Sequence, residues 1–98
     1  MTRMIFVDAQ LKCANVVYLE VSIENFWKYI KSSSFIIEKV ANLDDMIINA
    51  KPKPDENSWQ LNNKIYCGNA LMFSKIEENG DSGCIWDIDD FRQLIAFL

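Results

Sequence analysis

Val16-Val17-Tyr18-Leu19-Glu20-Val21-Ser22-Ile23-Glu24-Asn25-Phe26-Trp27-Lys28-Tyr29-Ile30 changes its character halfway along, and that change decides the fold class. The first six residues are rich in β-branched and aromatic side chains, the composition of a strand. Ser22 then stands where an N-cap belongs, with Glu24 in the first turn. Ile23, Phe26, Trp27 and Ile30 follow at i, i+3, i+4 and i+7, the spacing of one helix face. A strand that runs directly into an amphipathic helix predicts both kinds of element around one core, with Trp27 on the buried stripe.

Upstream, Met4 to Val7 is a short apolar run of β type, and the stretch from Gln10 to Asn15 can turn it back to pair with Val16–Val21 as a hairpin. Asp8 cuts the run too short for a signal peptide. Downstream, Ser32-Ser33-Ser34 ends the helix, because serine hydroxyls compete for backbone hydrogen bonds. Ile36, Val40, Leu43 and Ile47 then recur at spacings of four, three and four, which predicts a second helix to about Ala50, although Phe35-Ile36-Ile37 is β-rich. The polar stretch 51–58, fixed in φ at Pro52 and Pro54, is a loop that separates this helical middle from a strand-rich C-terminal half.

In that half, Trp59–Leu61, Lys64–Cys67, Ala70–Ile76 and Ser82–Trp86 read as short strands. Asn62-Asn63, Gly68-Asn69 and the stretch around Asn79-Gly80 divide them, and Asn-Gly predicts a tight hairpin because both residues tolerate positive φ. Asp90 with Gln93 resembles a capping box, and Phe91, Leu94, Ile95 and Leu98 continue at helical spacing. The sum is an α+β fold: a single compact domain over residues 1–98, with a mainly antiparallel sheet and two or three helices packed on one face.

The 98 residues are half apolar, enough for one buried core, and no segment approaches the roughly 20 apolar residues of a membrane span. Fourteen acids against ten bases give a net charge of −4. The excess belongs to residues 51–98, with eight acids and five bases, and it argues against direct binding of nucleic acid. Cys13, Cys67 and Cys84 form no C-x-x-C pair and read as free thiols in a reducing cytoplasm; a Cys67–Cys84 disulfide requires their strands to be neighbours. A soluble cytoplasmic protein is expected.

Between Ile76 and Phe91 lie Glu77, Glu78, Asp81, Asp87, Asp89 and Asp90, with no lysine or arginine, and the chain has no histidine. Histidine is the commonest general base and metal ligand, so its absence points away from enzymatic catalysis. Asp87-x-Asp89-Asp90 offers oxygen ligands but lacks the glycine and closing glutamate of a calcium loop, so neither metal nor cofactor is expected. Turn and cap chemistry accounts for some of these acids, Asp81 beside Gly80 and Asp87, Asp89 and Asp90 at a helix start. A surface of one sign nevertheless steers a partner of the other. Trp86, beside the cluster, and Trp59, after the proline loop, are the candidate aromatic anchors for an Arg or Lys of that partner.

Small size, acidic charge, free thiols, α+β order and an acidic face with aromatics resemble bacterial immunity proteins, which bind and neutralise toxins. The resemblance is one of general character over the whole chain. It implies a non-enzymatic complex with a cognate basic toxin, such as a nuclease domain, whose active site or substrate groove is covered. The residues expected to face that partner, Glu77, Glu78, Asp81, Trp86, Asp87, Asp89, Asp90 and Trp59, come from the acidic cluster and its neighbouring aromatics and not from the resemblance. The free protein would be a monomer or homodimer. Phage-encoded inhibitors that mimic nucleic-acid charge share the profile. A different class, a small structural or adaptor subunit, would use Phe35, Ile36 and the Phe91–Leu98 segment instead.

Overall fold

The computed structural model describes residues 2–32, 34–40, 44–51, 57–74 and 87–98. The chain is a single-domain α+β fold built on antiparallel sheets. Strand β1 (Thr2–Asp8) pairs with β2 (Cys13–Leu19) over its whole length, from Thr2↔Leu19 to Asp8↔Cys13. Asp8 closes the turn by accepting the Leu11 N–H at 3.0 Å, the local bond that makes aspartate a turn residue. Helix α1 (Ile23–Ile30) starts as its sequence predicts: the Ser22 hydroxyl accepts the Asn25 N–H at 3.1 Å. It stops at Lys31, whose left-handed φ of 59° lets its N–H reach the Trp27 carbonyl at 2.8 Å.

The predicted second helix is not formed. β3 (Phe35–Val40) and β4 (Asp44–Asn49) pair antiparallel instead, in register from Phe35↔Asn49 to Val40↔Asp44. Met46-Ile47-Ile48 explains the outcome. Met46 and Ile47 are fully buried although they point to opposite sides, so the run is a strand covered on both faces, which reads as continuous rather than alternating. The helical spacing of Ile36 and Ile47 is a coincidence of two β-rich runs.

β7 (Ala70–Ser74) joins the two hairpins. It pairs antiparallel with β1 on one side and β4 on the other, giving a five-stranded sheet of order β2-β1-β7-β4-β3. Its residues 70–73 are all buried, two on each face. A smaller sheet, order β6-β5-β8, contains β5 (Ser58–Leu61), β6 (Lys64–Cys67) and β8 (Ala96–Phe97). Asn62 and Asn63 connect β5 to β6 with φ of 52° and 64°, the doubly left-handed turn that asparagine tolerates.

The two faces of the large sheet carry separate cores. On one, Met4, Ile47, Leu71 and Phe73 pack against Phe26 and Ile30 of α1. On the other, Ile5, Val7, Met46 and Met72 pack against Trp59, Leu61 and Tyr66 of the small sheet and Phe91 of α2 (Ile88–Leu94). The helices therefore lie on opposite sides of the large sheet, not on one face as expected. Met4-Ile5-Phe6-Val7, apolar at every position, requires cover on both sides. α2 also begins earlier and ends sooner than its sequence predicts. Its N-cap is Asp87, not Asp90, and after Ile95 the chain extends as β8, where the Leu98 N–H bonds to the Ser58 carbonyl at 3.0 Å.

Candidate interaction surface

Asp87, Asp89 and Asp90 are the members of the acidic run that lie within the described residues; Glu77, Glu78, Asp81, Trp86 and the hairpin expected at Asn79-Gly80 lie outside them. Asp87 Oδ1 accepts the N–H groups of Asp89 at 2.9 Å and Asp90 at 3.2 Å, so this carboxylate caps α2. All three acids are exposed, and the Asp89 side chain keeps 80% of its surface open. Arg92 approaches Asp89 at 3.4 Å, a long contact on an exposed pair that contributes at most about 1 kcal/mol. The better bonds of that guanidinium go elsewhere: Nε donates to the Ala14 carbonyl and Nη2 to Asn15 Oδ1, both at 2.9 Å.

Trp59, expected as an exposed anchor, is fully buried. Its Nε1 donates to the Gly68 carbonyl at 2.8 Å, and its ring stacks on Tyr66 at a centroid distance of 4.8 Å. Gly68 sits at φ 80°, a geometry glycine adopts freely. The small sheet folds Trp59 inward against the large one, and nothing in the local sequence around Trp59 signals that further layer. Trp27 departs in the other direction: it is 46% exposed, although it was expected in the core. The helix uses Phe26, Ile30 and Tyr29 for its contacts, and Trp27 falls on the flank.

That flank is apolar. Tyr29 meets Phe6 of β1 edge-on at 4.9 Å, and Phe26 meets Phe35 of β3 edge-on at 5.7 Å, so α1 lies across the sheet with the Trp27 side toward β3. Ile23 and Ile37, 58% and 59% exposed, belong to the same side of the large sheet. Ile36 is also exposed, on the opposite face of β3, while Phe35 is half-buried. β3 is an edge strand of the large sheet.

One polar cluster escaped the sequence because its members come from separate strands. Lys64 Nζ of β6 bonds Glu38 Oε1 of β3 at 2.5 Å and lies 5.5 Å from the Tyr66 ring centroid, tying the edges of the two sheets together. Burial, then the Glu38 charge, pushes the Tyr66 hydroxyl up to about 12. The phenol lies close enough to feel that carboxylate, although Glu38 Oε2 is buried without a hydrogen-bond partner. Cys13 and Cys67 are free and partly buried. Among the described residues no group of three or more His, Cys, Asp or Glu side chains could hold a metal ion, and no helix is long and apolar enough to cross a membrane.

The chain matches no protein-family model, no curated protein and no solved structure.

Proposed function

We infer that the protein is a binding protein of the immunity type, an inhibitor that covers the active site or substrate groove of a basic partner such as a toxin nuclease domain. One observation carries the reading: three exposed carboxylates, Asp87, Asp89 and Asp90, stand within four residues at the start of α2. Glu77, Glu78 and Asp81 extend the same sign along the chain. Trp59 no longer belongs to the surface, so the described contact is electrostatic, a type that acts mainly on association rate and fades with salt. The test begins with affinity capture from the native host, eluted by salt, and proceeds to association kinetics of the purified pair. Asp89→Lys with Asp90→Lys is expected to slow association about tenfold or more and to flatten its salt dependence. An unchanged salt slope would place the interface elsewhere.

The apolar flank favours a second reading, an adaptor subunit seated through Ile23, Trp27 and Ile37. Solution mass separates the two. An inhibitor awaiting its target stays small at high salt, whereas an orphaned subunit self-associates more as salt strengthens apolar burial.

A further inference from the structure

Beyond the acidic surface, a recess of about 280 Å³ opens between the two edge strands β2 and β8, lined by Lys12, Cys13, Ala14, Arg92, Ile95 and Phe97. We propose that this recess binds a small organic anion, a carboxylate joined to an apolar body. The charge argument is local. Two cations line the recess and, among the described residues, no acid does, in a chain whose net charge is −4. Arg92 is held in place by Ala14 and Asn15, as above, and these bonds with the long Asp89 contact occupy three of its five N–H donors. Two donors are left to take a ligand oxygen. Lys12 stands at the end of the β1–β2 turn with a left-handed φ of 54°, and its ammonium has no bond to another described residue.

The rest of the wall is apolar. Ala14 is buried, and Ile95 and Phe97 are half-buried and pack against the core beneath the small sheet. Pockets for drug-sized ligands run from about 300 Å³ upward, so this one suits a smaller molecule. A cationic rim over an apolar floor selects a ligand with both characters. That chemistry has two sources, a free small carboxylate or the terminal carboxylate of a peptide ending in an apolar residue.

The experiment is an NMR titration of the isotope-labelled full chain with 3-phenylpropionate, and in parallel with its neutral amide. The expected result is saturable shifts at the amides of Ala14, Ile95 and Phe97 and at the Arg92 Nε–H. Binding should be about tenfold or more weaker for the amide and weaken as salt is added. Lys12→Gln, which leaves the Arg92 bonds in place, is expected to lower the affinity severalfold. An acetylated tripeptide ending in phenylalanine with a free carboxylate, compared with its amidated form, separates the sources: tighter binding than 3-phenylpropionate assigns the site to a chain terminus, and weaker binding assigns it to a free acid. No saturable shift, equal binding of acid and amide, or an unchanged affinity in Lys12→Gln would each overturn the proposal.

Discussion

Trp59 fills the space between the two sheets and spends its one donor on the Gly68 carbonyl. Trp59→Phe keeps most of the ring but leaves that carbonyl without its partner. It is expected to cost about 1–3 kcal/mol, read as a lower urea midpoint at constant slope. Its stacking neighbour Tyr66 gives a pH dependence. Burial, then the Glu38 charge, holds the phenol at about 12, above its ordinary 10.0, so folding favours the protonated form. The stability this proton supplies is fully present below pH 10 and is lost as pH rises from 10 toward 12. Tyr66→Phe should flatten that part of the stability curve, measured by urea midpoints through the window. Neither residue's role was legible in the sequence: a tryptophan after a proline loop looks exposed until a second sheet covers it, and Glu38 meets Tyr66 only through pairing at long range.

At the scale of elements, local signals were readable and long-range ones were not. Ser22, Glu24 and the Ile23–Ile30 stripe specify α1 through contacts within a few residues, and the structure keeps that start. Ser22→Ala removes the cap and is expected to cost about 1 kcal/mol in thermal or urea unfolding. The β5–β6 turn is equally local. Replacing Asn62 and Asn63 with alanines puts Cβ atoms into left-handed backbone without asparagine's compensating bonds, at about 1–2 kcal/mol per residue, measured the same way. The spacing of Ile36, Val40, Leu43 and Ile47 satisfies a helix although the chain forms β3 and β4. What overrides that spacing is β7, more than twenty residues downstream, which offers β4 a backbone partner and burial on both faces. The acidic run was half legible: Asp87 is a cap, as turn chemistry implied, while Asp89 and Asp90 remain open to a partner.

For the whole molecule, the two sheets meet through an apolar layer and are tied at one edge by Glu38 and Lys64. Lys64 is more than half exposed, so the ion pair itself is expected to couple by no more than about 1 kcal/mol in a Glu38→Gln, Lys64→Met double-mutant cycle. A larger value would mean that the pair fixes the angle between the sheets and not only their charge balance.

β7 lies at the centre of the large sheet yet is made late in the chain. The β1–β2 and β3–β4 hairpins can each close as soon as they leave the ribosome, but the inner edges of β1 and β4 have no partner until residues 70–74 follow. From the completion of β4 at residue 49 until β7 follows at residues 70–74, the chain therefore holds two half-sheets with open edges, the state from which chains pair with one another in error. The last strand to enter the large sheet is the one that shuts that window.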